Sequence, residues 1–252
     1  TDEIAQRYAD CGVKLLRLPH EGKAAALNAA LPHLSGEIVF FTDVRQPVDR
    51  EALRHLAANF ADPTVGAVTG ELRVMDAVSG EQADLDLYWR YELWVRNHHS
   101  RINSLFNTTG CLYAIRRELL TPIPADTLTD DAIIPLRAFF AGYRVIFDRL
   151  AVAWDYPTAQ GAEFRRRLRT LAGMWQAFAR MPQLLFSTNP MRLHFLSHKF
   201  SRLVMPWAIL GCLFSTIALR HTPLGGVLLP GGIAIFVIAG LDALLPQRFP
   251  LR

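Results

Sequence analysis

The acidic residue Asp43 stands where a side chain could hold a metal ion. It follows the apolar run Phe40-Phe41-Thr42, which predicts a buried strand that ends just before Asp43. A carboxylate at a strand end can bind a divalent cation, and the cation can neutralise a leaving pyrophosphate. The structural alternative is that Asp43 only caps the following turn.

A second acidic site is the pair Asp130-Asp131, at the start of a predicted helix. A carboxylate there can act as a general base that removes the proton of an attacking hydroxyl group. Because adjacent carboxylates repel each other, one of the two pKa values is expected to be raised, which suits a base. The structural alternative is that the two acids only serve as N-cap and N1 residues of the helix.

Basic side chains form a third group on the predicted helix over residues 163–180. The run Arg165-Arg166-Arg167-Leu168-Arg169 contains four arginines. A row of arginines is commonly a solvated surface, or a surface that faces lipid headgroups.

The composition excludes some classes of protein. The chain has 27 Lys and Arg against 23 Asp and Glu, a balance that argues against nucleic acid as a partner. Its three cysteines, at positions 11, 111 and 212, form neither a disulfide framework nor a C-x-x-C metal site.

The elements that must position these side chains alternate between strand and helix. The apolar pattern predicts strands over residues 13–18, 37–42, 65–74, 111–116 and 143–148. It predicts helices over residues 22–34, 49–60, 84–101, 130–141 and 163–180. Such alternation favours parallel βαβ units, in which ligands bind at the carboxyl ends of the strands, where Asp43 lies.

Two apolar segments follow, over residues 203–219 and 222–241, and neither contains a charged residue. Each is about as long as the ~30 Å hydrocarbon layer requires. Basic residues flank the pair on both sides: Arg192, Lys199, Arg202, Arg248 and Arg252. The positive-inside tendency then places both flanks in the cytoplasm, although Arg220 in the turn counts against this. The alternative is two buried helices of a soluble domain.

The segment upstream of Asp43 carries a resemblance to a known family. The sequence "GKAAALNAAL…GEIVFFTD" resembles the "GKxxALNxA…DaD" segment of membrane-bound family 2 glycosyltransferases, which include the synthases of cellulose, chitin, hyaluronan and poly-N-acetylglucosamine. The resemblance implies an α/β fold of the GT-A type, with a mixed, mostly parallel sheet and flanking helices. An interfacial segment and a transmembrane helical hairpin would follow.

The resemblance also implies roles for the residues around Asp43. Lys23 and Asn28 would lie near the nucleotide, and Asp43 would contact the diphosphate and a Mg²⁺ or Mn²⁺ ion. Without the resemblance, Lys23 is a solvated residue at a helix start and Asn28 a helix-surface amide. The chain departs from the family at Arg45, which replaces a second aspartate. Either Asp43 holds the metal with water and substrate phosphates, or Arg45 takes over part of the phosphate neutralisation.

Two further motifs resemble the family. Thr129-Asp130-Asp131 is similar to its Thr/Ser-Glu/Asp-Asp motif, which implies that Asp131 is the catalytic base and Asp130 its neighbour. The run that begins Asn107-Thr108-Thr109-Gly110 resembles the loop under the acceptor sugar, which implies acceptor-side roles for Thr109 and Gly110. A plain loop before an edge strand would explain these two residues equally well.

The arginine row resembles the family's Gln-x-x-Arg-Trp motif, which is followed by a glycine. Arg169 and Gly173 match the arginine and the glycine, which implies that Arg169 binds the diphosphate. Arg166 stands in place of the glutamine, and we expect it at the same nucleotide-sugar site. Thr170 stands in place of the tryptophan, which leaves the acceptor contact of that residue without a match.

Together these features predict an inverting glycosyltransferase of the inner cell membrane. It would move a sugar from a nucleotide-diphosphate sugar, a UDP-sugar by preference, to a glycan or lipid-linked acceptor in cell-surface polysaccharide synthesis. We expect a catalytic domain over residues 1–180, an interfacial segment over 181–202, two membrane helices over 203–241 and a cytoplasmic tail over 242–252.

Two alternatives and one expectation accompany this prediction. The alternatives are a catalytically inactive membrane scaffold and a soluble α/β sugar-phosphate enzyme with a helical C-terminus. The first residues resemble the helix that follows an Asp-rich turn of the family, so the first two strands are expected to be missing. Residues 1–252 alone would then bind a UDP-sugar weakly.

Overall fold

The computed structural model describes residues 2–75, 87–156, 160–186 and 188–242. The chain divides into two compact units, Thr1–Ser197 and His198–Arg252. The first unit contains a four-stranded sheet formed by β1 (Ile38–Thr42), β2 (Val65–Val74), β3 (Leu112–Arg116) and β4 (Arg144–Asp155). Its α-helices are α1 (Asp2–Gln6), α2 (Lys23–Ala30), α3 (Ala52–Ala58), α4 (Leu87–Ile102), α5 (Asp130–Phe140), α6 (Gln160–Arg180) and α7 (Arg192–Phe195).

The sheet has the strand order β1-β3-β2-β4. β3 is antiparallel to both β1 and β2, whereas β4 is parallel to β2. Three of the four strands therefore run in one direction, and the predicted mixed, mostly parallel sheet is confirmed. The carboxyl ends of β1, β2 and β4 and the amino end of β3 consequently share one edge of the sheet.

The hydrophobic core surrounds β2, whose residues 65–71 are all buried. Ala52 and Leu56 of α3 pack in one cluster with Leu112 and Ala114 of β3, and α5 packs against β2 and β4. β2 was predictable from the sequence because of its apolar residues, which are Val65, Ala67, Val68, Leu72 and Val74.

One predicted strand is wrong. Residues 13–18 belong to no strand, and their apolar side chains are exposed: Val13, Leu15, Leu16 and Leu18. A strand needs a neighbouring strand to bond its backbone N–H and C=O groups. Among the described strands β1 pairs only with β3, and none runs beside residues 13–18.

The strand predicted to end at residue 148 continues to Asp155. Its pairing with β2 shifts between Gly70, opposite Asp148, and Glu71, opposite Val152. The shifted part of β4 lies so close that a Cβ at Gly70 would stand 2.5 Å from the carbonyl oxygen of Ala151. The charged pair Asp148-Arg149 interrupts the apolar pattern at this bulge, which is why the sequence prediction stopped too early.

The second unit contains α8 (Ser201–Ala218) and α9 (Pro223–Asp242). In the part of the chain that the structure describes, one helical stretch is long and apolar enough to cross a membrane. It runs over Arg192–Ala218 and includes α7 and α8. Only 6% of its most apolar 18-residue window is buried, which does not fit a buried core helix. A shorter apolar helix spans Pro223–Ala234. Of the predicted tail over 242–252, residue 242 ends α9 and the rest lies outside the described residues.

Candidate active site

The candidate site lies where the carboxyl ends of β1, β2 and β4 meet the loop before β3 and the first turn of α5. Thr42 pairs with Leu112, so Asp43 after β1 stands beside the residues that precede β3. The loop before β3 brings Gly110 to Asp131 in the first turn of α5, because a Cβ at Gly110 would lie 3.5 Å from the Asp131 Oδ2 atom. This is the sheet edge at which α/β folds bind their ligands.

Lys23 joins the two acidic sites that are far apart in the sequence. It begins α2, and its Nζ atom lies 3.4 Å from Oδ1 of Asp43 and 3.2 Å from Oδ2 of Asp130. Burial lowers the pKa of Lys23, but the carboxylates of Asp130 and Asp43 raise it by more, so the net pKa lies above the usual value. Lys23 therefore stays protonated and balances the charge of both acids.

The carboxyl group of Asp131 has a raised pKa. Burial and the neighbouring charge of Asp130 raise the pKa of Asp131 to about 6, against the opposing effects of Lys23 and Arg96. This bears out the expected raised pKa in the acidic pair. Its backbone carbonyl accepts hydrogen bonds from the N–H and the hydroxyl of Thr108, at 2.8 and 3.0 Å. The loop over residues 108–110 and the start of α5 are thus fixed to each other.

Basic side chains converge on a cleft next to Asp43. The cleft has a volume of about 620 Å³ and is lined by Asp43, Val44, Arg45, Gln46, Arg165, Arg166 and Arg169. The loop after β1 and the first half of α6 supply this lining. The structure therefore brings together four residues that the sequence assigned to one nucleotide-sugar site, namely Asp43, Arg45, Arg166 and Arg169. Four guanidinium groups around one carboxylate favour an anionic ligand such as a diphosphate.

Two of these arginines share an acidic partner that the sequence analysis missed. Arg45 donates from Nη2 to Oδ2 of Asp155 at 3.2 Å, and Nη1 of Arg166 lies 3.8 Å from the same oxygen. Asp155 is buried at the end of β4. The rule that singled out Asp43, an acid at the carboxyl end of a strand, would have found Asp155 if β4 had been predicted at its full length.

Arg96 is a second residue that the sequence did not indicate. Its Nη2 donates to Oγ1 of Thr109 at 3.1 Å, and its guanidinium carbon lies 5.2 Å from the ring centre of Phe147. Burial lowers the pKa of Arg96, while acidic residues that include Asp131 raise it. Its signal would have been a charged residue on the buried side of α4, opposite the exposed Tyr91 and Trp94.

Asn28 and Thr109 are held by bonds within the fold. The Asn28 amide donates to the carbonyl oxygen of Ile123 at 2.7 Å and accepts from the Ile123 N–H at 2.8 Å. The Thr109 hydroxyl donates to the carbonyl oxygen of Gly70 at 3.0 Å while it accepts from Arg96. Asn28 therefore fixes the segment around Ile123, and Thr109 fixes the loop before β3. Their predicted contacts with substrate stay predictions.

Gly173 explains how α6 reaches the start of α5. A Cβ at Gly173 would stand 2.7 Å from Oγ1 of Thr129, the residue that precedes Asp130. Only a residue without a side chain permits this approach. The glycine therefore brings the arginines of α6 and the acids of α5 to the same site.

The residues present do not form a preassembled metal site. Among the described residues no three His, Cys, Asp or Glu side chains are grouped so that they could hold a metal ion. The Asp43 carboxylate accepts a hydrogen bond from Lys23, and the position of a second acid is occupied by Arg45. Among the described residues that line the cleft, Asp43 is thus the one carboxylate that a cation arriving with a phosphate ligand could contact.

Comparison with known proteins gives a consistent picture. Residues 1–122 match the family model described as "Glycosyl transferase family 2". Over 161 residues the chain is 24% identical to the poly-beta-1,6-N-acetyl-D-glucosamine synthase of Staphylococcus aureus, covering 61% of this chain and 39% of that protein. It is 22% identical over 184 residues to the "Probable glycosyltransferase YdaM" of Bacillus subtilis, covering 68% and 43%.

A solved structure is similar to almost the whole chain. It is the mannosyltransferase PcManGT of Pyrobaculum calidifontis in complex with GDP-Man and Mn²⁺, with a TM-score of 0.71 and 25% identity. The match covers 94% of this chain and 68% of that structure. The chain spans about two fifths of the length of the curated relatives, at 39% and 43%. The family-model match ends before Asp131 and the arginines of α6.

Proposed function

We propose that the protein transfers a sugar from a nucleotide-diphosphate sugar to a hydroxyl group with inversion. The match of residues 1–122 to the glycosyltransferase family 2 model and the similarity of the fold to a solved mannosyltransferase support this proposal. The observation that carries this proposal is that Asp131, whose pKa is raised to about 6, is next to Asp130, which Lys23 links to Asp43 of the arginine-lined cleft. A base for the acceptor and cations for the leaving group are the two requirements of such a transfer.

The proposed reaction assigns a task to each side of the site. The acceptor oxygen attacks the anomeric carbon of the donor and its proton passes to the Asp131 carboxylate. A new carbon–oxygen bond forms while the bond from the anomeric carbon to the diphosphate breaks, and the electron pair leaves with the diphosphate. Arg45, Arg166 and Arg169 stabilise the charge that develops there. Lys23 holds Asp43 and Asp130 in place between the two sides.

The donor in the proposal is a UDP-sugar, in line with the poly-N-acetylglucosamine synthase among the relatives. GDP-mannose is a second candidate, because the mannosyltransferase with a similar fold was solved with GDP-Man. The acceptor in the proposal is a glycan or a lipid-linked sugar of a cell-surface polysaccharide.

A divalent cation, Mg²⁺ or Mn²⁺, belongs to the proposal as an ion that arrives with the donor. Mg²⁺ is commonly held by one or two carboxylates together with substrate phosphates, and Asp43 would be the carboxylate here. The similar mannosyltransferase was solved with Mn²⁺. When bound, such an ion would neutralise part of the diphosphate charge.

We place the protein at the inner cell membrane as part of the same proposal. The exposed apolar helix over Arg192–Ala218 would cross the bilayer, and α9 would return as the second arm of a hairpin. The basic residues Arg192, Lys199 and Arg202 in the first part of this helix favour a cytoplasmic position of the α/β unit. A soluble sugar-phosphate enzyme would instead need these apolar helices to be buried.

A donor screen tests the proposed function. The protein, expressed from its complete gene in membranes, is incubated with UDP-GlcNAc, UDP-Glc or GDP-Man, each labelled in the sugar. We expect one donor to release nucleoside diphosphate and to label a lipid or polymer product. Absence of release and labelling with every nucleotide sugar would contradict the proposal and favour an inactive scaffold.

A further inference from the structure

Asp155 is a buried acid whose surroundings differ from those of the other carboxylates at the site. It is the last residue of β4, where it pairs in register with Val74 of β2, and its side chain is only 7% exposed. Removing a carboxylate from water costs several kcal/mol unless partners compensate it. The proposed transfer assigns no step to Asp155, so its burial requires another explanation.

The two carboxylate oxygens of Asp155 have different partners. Oδ1 accepts a hydrogen bond of 3.0 Å from the N–H of Tyr156, which fixes the carboxylate relative to the end of the strand. Oδ2 faces Arg45 at 3.2 Å and Arg166 at 3.8 Å. The acid therefore ties the loop after β1 to α6, two elements that are distant in the sequence.

The two arginines that contact Asp155 also line the cleft, and about half of each side chain is exposed to solvent. The exposed fractions are 53% for Arg45 and 46% for Arg166. Two guanidinium groups this close repel each other, and the shared carboxylate offsets the repulsion. Asp43, two residues before Arg45, lines the same cleft, and an Arg45 that paired with Asp43 would withdraw both side chains from a ligand.

We propose that Asp155 is a positioning residue that aims Arg45 and Arg166 at the diphosphate of the nucleotide ligand and keeps Arg45 from pairing with Asp43. The geometry that carries this is the one oxygen of a buried acid shared by two half-exposed arginines of the cleft. The inference rests on the proposed function, because it assigns the cleft to a nucleoside diphosphate. Arginines held in place before binding lose less conformational entropy when they bind phosphate oxygens.

The substitution Asp155→Asn tests the inference because it removes the charge and keeps an oxygen for the Tyr156 N–H. Its matched control is Asp148→Asn, on the same strand, where one oxygen accepts from the Leu150 N–H and the other from the Asn59 side chain. Binding of UDP, UMP, GDP and GMP to the protein expressed from its complete gene is measured by calorimetry.

We expect Asp155→Asn to lower the affinity for the nucleoside diphosphate that the wild type binds by about tenfold or more. The affinity for the corresponding monophosphate should fall by less than threefold. Asp148→Asn should bind both as the wild type does. In an Arg45→Gln background, Asp155→Asn should add less than its effect in the wild type, because the two residues act as a unit. If the role of Asp155 were purely structural, Asp155→Asn would lower the affinity for all four nucleotides alike. Its effect in the Arg45→Gln background would then equal its effect in the wild type.

Three results overturn the inference. In the first, Asp155→Asn binds the diphosphate as tightly as the wild type. In the second, it loses as much affinity for the monophosphate as for the diphosphate. In the third, it has its full effect in the Arg45→Gln background. If Asp155→Asn does not fold, the test uses Arg45→Gln, because the Arg45 side chain is half exposed. This variant must lose affinity for the diphosphate and keep its affinity for the monophosphate. An unchanged diphosphate affinity overturns the inference. A wild type that binds none of the nucleotides contradicts the proposed function and this inference with it.

Discussion

At the scale of single residues, the site separates its charges into two groups. Lys23 lies between Asp43 and Asp130, while Arg45 and Arg166 share Asp155. Asp131 lies outside both groups, and burial together with Asp130 raises its pKa to about 6. A carboxylate without a direct cationic partner is the one best suited to accept a proton near neutral pH.

The raised pKa of Asp131 predicts how activity depends on pH. Sugar transfer should fall about tenfold for each pH unit below about 6, because the protonated acid cannot act as a base. The measurement is kcat/KM for the accepted donor from pH 4.5 to 8, at saturating acceptor. A rate that stays constant down to pH 5 would contradict the assignment of Asp131 as the base.

The raised pKa of Asp131 also affects stability, and its effect on stability has the opposite pH dependence to its effect on activity. The folded-state pKa of Asp131 lies above its ordinary value of 3.8, so the folded state binds more protons than the unfolded state between about pH 4 and 6. The free energy of unfolding should therefore decrease as the pH rises through this window. Asp131→Asn should lack this part of the decrease in thermal unfolding curves, which serves as a control for the pH profile.

At the scale of elements, most of the fold could be predicted from apolar periodicity. Strand β2 has the predicted bounds, and helices α2, α5 and α6 lie within a few residues of theirs. Helices α5 and α6 bury apolar residues at helical spacing, whereas α2 buries only Ala24. Two errors have a common physical cause, since strand pairing is not local. Residues 13–18 have strand-like composition without a described partner, and β4 continues past its charged bulge because β2 remains beside it.

The site could be predicted only in part for the same reason. Residue type and a strand-end position indicated Asp43, and residue type and a helix-start position indicated Asp130 and Asp131. The resemblance to a family indicated Asp131 as the base and Arg169 as a diphosphate ligand. The contact of Lys23 with Asp130 and that of Arg45 with Asp155 join residues 107 and 110 positions apart. Only the packing of α2, α5 and β4 around the sheet edge creates these contacts, and no local pattern contains them.

Gly173 provides a test at the scale of elements. Gly173→Ala should destabilise the protein by about 1–3 kcal/mol, because the added Cβ meets the buried side chain of Thr129. It should also lower transfer activity, since Thr129 leads directly into Asp130 and Asp131. Chemical denaturation and the transfer assay measure the two effects.

The matched control is Ala172→Ser, which adds one heavy atom at the neighbouring exposed position of α6. This variant should change the free energy of unfolding by about 0.5 kcal/mol or less. If Gly173→Ala is as stable and active as this control, the close approach of α6 to the start of α5 is not required.

At the scale of the whole molecule, an α/β unit and a second unit of apolar helices follow each other along the chain. The helix over Arg192–Ala218 exposes large apolar side chains such as Trp207 and Phe214. Exposed apolar surface of this extent is typical of a membrane or interaction surface.

Membrane integration is the prediction at this scale. The protein should remain in the pellet when membranes are washed with alkaline carbonate and should be released by detergent. Leu210→Arg should weaken integration, because a charge near the centre of a span costs about 2.5–3.5 kcal/mol, whereas Leu210→Phe should not. Recovery of the wild type in a detergent-free supernatant would contradict a spanning helix.

The central claim is that Asp131 removes the acceptor proton in a sugar transfer whose leaving group is held by the arginine cleft. Its most direct test compares Asp131→Asn with Asp126→Asn, an exposed acid that contacts Arg180 outside the cleft, in transfer of the sugar from the accepted donor. We predict that Asp131→Asn lowers kcat by about 10²–10⁴-fold with the donor Kd unchanged within threefold, and that Asp126→Asn keeps wild-type kcat. Turnover by Asp131→Asn at the wild-type rate would contradict the claim.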